Sequence, residues 1–245
     1  MSVAVVVPCF DEAARLDSAG LTELADAVAL VVFVDDGSTD ATPAVLAALA
    51  STRPDRVEVL QQPANTGKAE AVRAGLRHVA DRYDIVGYFD ADLATPVGEL
   101  VRMAELLDGR PDCQAVLASR VALLGHSVQR RAARHYLGRM YATGASLVLG
   151  VPVYDTQCGA KLFRTSPALR AALDTAFPDR WSFDVELLAR LLRPAPGVEP
   201  VGADQLVEMP LREWSDVGGS KLRPTAAARS LIALAGVRRR MRLRR

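Results

Sequence analysis

With three cysteines, three histidines and 13 aromatic residues among 245, the chain lacks the material for several kinds of protein. Cys9, Cys113 and Cys158 lie far apart and form no CxxC pair, which argues against a disulfide scaffold or a thiolate zinc site and fits a reducing cytosol. His78, His126 and His135 show no metal-ligand spacing and read as structural or surface residues, with His126 an exception near the candidate acceptor arginines below. No apolar run approaches the roughly 18 to 20 residues of a bilayer-crossing helix. The amino terminus passes from Met1-Ser2 straight into valines without a basic flank or cleavage site, so neither a spanning segment nor a secretory signal is expected. Charge of one sign is not in excess either: 30 basic against 29 acidic side chains.

That balance hides an asymmetry. The last 23 residues carry eight arginines and no acid, leaving 22 basic and 29 acidic side chains in the rest. Half of the residues are hydrophobic, enough for a core, and the length suits one large α/β domain or two small ones. Residues 3–8, 30–34, 57–60 and 85–89 are short apolar, β-branched runs, the pattern of strands buried on both faces. Between them, residues 11–29, 39–50 and 67–80 have helical composition, with Thr39 or Asp40 as caps of the second. Such alternation predicts a mostly parallel, Rossmann-like α/β sheet flanked by helices, with ligands bound outside the carboxyl ends of the strands. Further on, a helix over 98–107, a strand over 115–118 and a basic segment over 130–139 are expected, and 194–200 reads as a surface loop.

Three polar clusters sit at the predicted carboxyl edge. Asp35-Asp36-Gly37-Ser38 ends the second strand, where carboxylates could accept from a ribose hydroxyl or a base N–H; an ordinary capped turn is the plain alternative. Asp90-Ala91-Asp92 ends the fourth, where a bent chain can turn both carboxylates to one Mg²⁺ or Mn²⁺ and its diphosphate; two solvated loop acids are the alternative. Asn65-Thr66-Gly67-Lys68 opens a helix and suits an anion or nucleotide edge, although it is no Walker A loop.

Together with Pro8-Cys9-Phe10-Asp11-Glu12, these clusters resemble the family 2 glycosyltransferases of GT-A fold. The segments 155–163, 180–188 and 213–222 are similar to the dolichyl-phosphate β-glucosyltransferase branch, so that the resemblance runs over about residues 3–224. It implies a single GT-A domain over 1–224 followed by a basic helix or tail over 225–245. It further implies a nucleotide-sugar donor, UDP-glucose foremost, one divalent cation and inversion at the anomeric carbon. Carried onto matching positions, Pro8, Glu12, Asp36, Lys68 and Asp90 would line the nucleotide pocket beside Asp35, and Asp90 and Asp92 would hold the metal. The position two beyond Asp92, a glutamine ligand in related mannosyl-phosphate enzymes, is Ala94 here.

The acceptor is the open question. An ionised phosphomonoester needs cations rather than a base, whereas a hydroxyl needs a carboxylate. The resemblance assigns acceptor phosphate to Arg120 and to either Arg130 or Arg131, with Arg134 nearby. Asp184 is the candidate base if the acceptor is a hydroxyl; Asp184 and Glu186, two apart on a helix, do not share a face. Trp181 and Trp214 could stack on the sugar, and Gly218-Gly219-Ser220-Lys221 suggests a closing loop with Lys221 as its cation. Two enzyme readings follow: hexose transfer to a polyprenyl, dolichyl-like phosphate, or transfer to a hydroxyl of a small metabolite or glycan by a soluble enzyme. A nucleotide-binding module without turnover is a third. Residues 225–237, apolar on average, and the arginines beyond them suit a cytoplasmic protein resting on an anionic membrane face, and no nucleic-acid partner is expected because the body is acidic.

Overall fold

The computed structural model describes residues 2–129, 132–215 and 224–243. A seven-stranded sheet forms the centre, in the order β3-β2-β1-β4-β7-β5-β8. The four predicted strands are β1 (Val3–Cys9), β2 (Leu30–Asp35), β3 (Val57–Gln61) and β4 (Ile85–Phe89), all parallel. They alternate with α1 (Ser18–Ala27), α2 (Thr42–Thr52) and α3 (Lys68–Val79), and α4 (Val97–Asp108) leads into β5 (Ala115–Ser119).

Side chains along β1 explain the layering. Val3, Val5 and Val7 enter one buried apolar cluster and Ala4 and Val6 the other, the period-2 alternation of a strand covered on both faces. All six residues of β2 are buried for the same reason, its last, Asp35, included. α1 begins at Ser18 rather than near residue 11, with Asp17 as its cap accepting from Ala19 N. The residues before it form a loop at the mouth of the sheet, entered through Asp11 at φ 49°. At α2 the cap position is Ala41, and Asp40 accepts from Thr42 N.

Beyond β5 the chain makes β6 (Ser127–Gln129) and the long helix α5 (Ala132–Leu149). It then returns to the middle of the sheet as β7 (Ala160–Arg164), antiparallel to both β4 and β5. The helices α6 (Pro167–Leu173) and α7 (Phe183–Leu192) follow, and residues 194–200 form a connecting loop. β8 (Leu206–Pro210) then joins β5 in parallel at the sheet edge, and β9 (Glu213–Ser215) pairs with β6. Thus β1, β2, β4, β5 and β8 all present their carboxyl ends at one rim.

The basic carboxyl-terminal segment forms α8 (Pro224–Leu243). Its Leu234, Val237 and Met241 join the same apolar cluster as Tyr141, Ala145 and Leu149 of α5, and Arg240 pairs with the buried Glu186 of α7 at 2.9 Å. All three thiols are free and buried. Among the described residues no helix is long and apolar enough to cross a membrane.

Candidate active site

An open cleft of about 300 Å³ lies over the carboxyl ends of β1, β2 and β4. Pro8 comes from the carboxyl end of β1, Glu12 from the loop after it, Asp36 from that after β2, Lys68 from the start of α3, and Asp90 and Asp92 from the loop after β4. The last two share the cleft because the chain turns sharply there: Leu93 stands at φ 49° and its N–H reaches Asp90 O. Asp90 also needs Gly159 opposite, since a Cβ on that glycine would lie 1.9 Å from Asp90 Oδ2. Asp36 reaches the cleft but is committed to its wall. Its carboxylate accepts from Thr66 N, Thr66 Oγ1 and Gly67 N at 2.7–2.8 Å, and Gly67 supplies φ 98° at the mouth of α3. Asp35 lies beneath the surface and accepts from Ser38 N at 3.0 Å, bracing the turn rather than lining the cleft.

Two cations answer the two acids. Lys68 Nζ lies 2.5 Å from Asp90 Oδ1. Arg15, in the loop after β1, reaches Glu12 at 3.1 Å and Asp92 at 3.5 Å. Burial disfavours the Lys68 charge, but Asp90, Asp184 and Asp92 outweigh it and hold the ammonium above the ordinary lysine value. Burial and the neighbouring Asp90 raise the Asp92 carboxyl, against Ala94 N–H, Arg15 and Lys68. An added cation would relieve that pair. Among the described residues no cluster of three or more His, Cys, Asp or Glu could cage a metal. Two carboxylates facing open space fit an ion of the Mg²⁺ type, which keeps water and takes its other ligands from substrate phosphates.

A second, smaller cavity lies beyond β7, between the end of β5 and α5. Arg120 grips Asp155 through Nε at 2.6 Å and Nη2 at 2.8 Å, and its backbone N–H donates to the same carboxylate. Asp155 and the N-terminal side of that loop are fixed in turn by Glu208 of β8, which accepts from Tyr154 N and Asp155 N. Trp214 stacks 5.3 Å from the Arg120 guanidinium, and Arg139 lies 3.8 Å over the Tyr154 ring. Asp155 raises the guanidinium pKa further, against the effect of burial, so Arg120 is permanently charged. The cavity is also lined by Tyr141, Thr156 and Gln157, and the Tyr141 hydroxyl, Thr156 Oγ1 and Gln157 Nε2 are buried with no hydrogen-bond partner among the described residues. Three such groups in one cavity are expected to meet a polar ligand or water.

Between the two lies a buried network that the sequence did not suggest. Asp184 Oδ1 accepts from Lys161 Nζ at 2.7 Å and from the Tyr88 hydroxyl, and Lys161 also donates to Cys158 O. Lys161 and Tyr88 are wholly enclosed. The Asp184 charge acts on Lys68 on one side and on Tyr141 on the other. Glu186, on the other face of α7 as its spacing predicts, pairs instead with Arg190 and Arg240.

The fold thus gathers Pro8, Glu12, Asp36, Lys68, Asp90 and Asp92 into one cleft and sets Arg120 at a neighbouring cavity on the same rim. Arg130, Arg131, Lys221 and the side chain of Arg134 lie outside the described residues. Trp214 supports Arg120, and Trp181 is exposed beside Arg180, which holds Asn65. His126 Nδ1 donates to Leu211 O, a structural role. Arg15, Lys161, Tyr88 and Asp155 are additions. Lys161 carried a readable signal, a single charge within the otherwise apolar run 160–163, which must be paired if buried.

A family model described as Glycosyl transferase family 2 matches residues 4–170. A dolichyl-phosphate beta-glucosyltransferase of Trichomonas vaginalis is 28% identical over 233 residues, 94% of this chain and 65% of that protein. Proteins of the same description from Saccharomyces cerevisiae and Mus musculus are 28% and 32% identical, covering 90% and 79% of this chain and 69% and 58% of theirs. The chain therefore spans about two thirds of the length of these curated relatives. Among solved structures, glucosyl-3-phosphoglycerate synthase of Mycobacterium tuberculosis in complex with phosphoglyceric acid superposes with a TM-score of 0.66 at 21% identity, covering 97% of this chain and 79% of the other. A mannosyltransferase of Pyrobaculum calidifontis in complex with GDP-Man and Mn²⁺ gives 0.52 at 20%, with 96% and 73% covered. The architecture is the GT-A fold.

Proposed function

Because the chain belongs to glycosyltransferase family 2, we propose that it is an inverting hexosyltransferase that moves glucose from UDP-glucose to a polyprenyl, dolichyl-like phosphate. The relatives named above support the acceptor and the sugar. The observation that carries the choice of acceptor is the state of Asp184. Its Oδ1 is bound by two enclosed donors, Lys161 and Tyr88, so the carboxylate suits holding strand β7 against α7 better than taking a proton from a hydroxyl. The groups of the second cavity, by contrast, are rich in donors, the chemistry an ionised phosphate requires.

In this reading the nucleotide lies over Pro8, Glu12 and Asn65, and its diphosphate meets Lys68 and Arg15. Asp36 shapes the wall through the 66–67 backbone rather than by taking a ligand proton. Asp90 and Asp92 would hold the divalent ion, which when bound neutralises charge on the leaving diphosphate. Arg120, locked by Asp155, presents a fixed charge to the acceptor phosphate, with Tyr141, Thr156 and Gln157 as further hydrogen-bonding groups. An acceptor oxygen attacks the anomeric carbon from the face opposite the diphosphate; the new C–O bond forms as the old one breaks, and UDP leaves.

The test is the purified chain with a panel of UDP- and GDP-sugars, Mg²⁺ or Mn²⁺, and either polyprenyl phosphate or water-soluble hydroxyl compounds, scored by labelled product. Labelled lipid from UDP-glucose is expected. Label confined to hydroxyl acceptors would overturn the reading and return Asp184 to the role of base.

A further inference from the structure

Few large apolar side chains are exposed among the described residues, and most of them lie in the loop after β5 or on the helices α5 and α8. Leu123 and Leu124 form a loop tip a few residues beyond Arg120, and Leu124 is fully exposed. The tip is not slack. His126 N–H closes a turn onto Leu123 O, the His126 ring bonds Leu211 O, and Ser127 N–H bonds Arg212 O. The turn therefore holds two adjacent leucines out into solvent.

The helix layer repeats the pattern. α5 turns Gly138, Arg139, Tyr141 and Ala142 toward the cavity, while Met140 and Leu147, on its opposite face, are exposed. On α8, which packs against α5, Leu234, Val237 and Met241 are buried, whereas Ile232, Arg238 and Arg239 look outward. Apolar side chains flanked by arginines, in a terminal segment with no acid, match a surface that is apolar within and anionic at its face.

We propose that the Leu123–Leu124 tip and the outer face of α5 and α8 form a docking surface for an anionic lipid bilayer. This rests on the reading of a polyprenyl phosphate acceptor and deepens it. A bilayer resting on α5 lies about one helix diameter, roughly 10 Å, from the second cavity. The phosphate head of a lipid acceptor then has a short path to Arg120 while its chain stays in the membrane. Leucines and Met140 enter the acyl boundary, and Arg238 and Arg239 meet the anionic headgroups.

Vesicle binding, measured by co-sedimentation of the full chain with no donor or acceptor present, tests the surface separately from catalysis. Wild type is expected to partition to vesicles of phosphatidylcholine with phosphatidylglycerol and much less to phosphatidylcholine alone. Leu124→Ser and Leu147→Gln, both at exposed positions, should each weaken binding on the order of tenfold, the effect of withdrawing one leucine from an apolar phase. Arg238→Glu with Arg239→Glu should abolish the preference for anionic vesicles. Thermal melts establish that the variants fold, and light scattering reports oligomeric state. Binding that these substitutions leave unchanged, no binding by wild type, or a dimer that Leu147→Gln dissociates would each overturn the proposal. Labelled product from a short, water-soluble prenyl phosphate without vesicle binding would leave the catalytic reading intact and remove the docking surface. Vesicle binding without transfer to any lipid phosphate would do the reverse.

Discussion

Along one sheet rim, the charged groups of the cleft over β1, β2 and β4 and those of the cavity beyond β7 are held in opposite ways. Asp90, Asp92, Lys68 and Arg15 keep 27–41% of their side chains exposed, and each acid meets a cation through a single contact. Arg120 and Asp155 keep 16% and 6%, joined by two short side-chain bonds and one from the backbone. The first arrangement can exchange its partners for a ligand and an ion at little cost, because water already competes for them. The second cannot, because separating a buried pair exposes each charge to an apolar surrounding. On the proposed function, the loose charges sit where a diphosphate and its metal would displace them, and the rigid ones where an acceptor would be met by a preset field.

Substitution should separate the two regions sharply. Asp92→Asn removes a carboxylate that burial and Asp90 already disfavour, so the melting temperature is expected to hold or rise. Transfer should nevertheless fall on the order of a thousandfold, as loss of metal-assisted leaving-group stabilisation implies. A variant with near-normal turnover would break the assignment of the cleft. Asp155→Ala should do the opposite. It strips Arg120 of its buried carboxylate, and denaturant titration should show a loss of about 3 kcal/mol while binding of the nucleotide sugar, followed by calorimetry, is preserved. A loss below about 1 kcal/mol would mean that the cavity is no more rigid than the cleft. Gly159→Ala is a finer probe, because the added methyl would lie 1.9 Å from Asp90 Oδ2 and must displace that carboxylate. Misplacing one ligand by about an ångström should reduce turnover up to about a hundredfold, and Gly159→Ser should be no better.

The same contrast marks what the sequence disclosed. The cleft is built from residues at or just after the ends of strands whose β-branched runs are plain, so Pro8, Asp36, Lys68, Asp90 and Asp92 could be put on one edge from alternation alone. Arg15 escaped because residues 11–17 have helical composition yet form a loop, fixed by Asp11 accepting from Thr39 N and Asp40 N. Antiparallel β7 left no comparable trace. Its five residues follow a long excursion through β6 and α5, and nothing local says that they return between β4 and β5. With β7 unplaced, Lys161 could not be matched to Tyr88 and Asp184, which come from β4 and α7. For the same reason Asp155 could not be assigned to Arg120, 35 positions earlier. Partners at such separations are set by topology, and only the position of Arg120 after its strand was readable.

A surface cluster far from both regions calibrates how little a loose pair contributes. Glu58 on β3 is bound by Arg82 at 2.7 Å and His78 at 2.6 Å, and these bonds, Arg82 first, draw its carboxyl from the usual 4.5 down to about 2. A carboxyl depressed in the folded state stabilises the fold fully above its unfolded value and loses that contribution as pH falls through the folded one. The side chain is about one-third exposed, so solvent screening holds the effect below about 1 kcal/mol. Glu58→Gln should therefore lower stability slightly at pH 7, and its difference from wild type should shrink between about pH 4.5 and pH 2, as followed by denaturant titration across that range. Were Glu58→Gln to cost as much as Asp155→Ala at neutral pH, exposure would not be what distinguishes the exchangeable charges of the cleft from the fixed charges of the cavity.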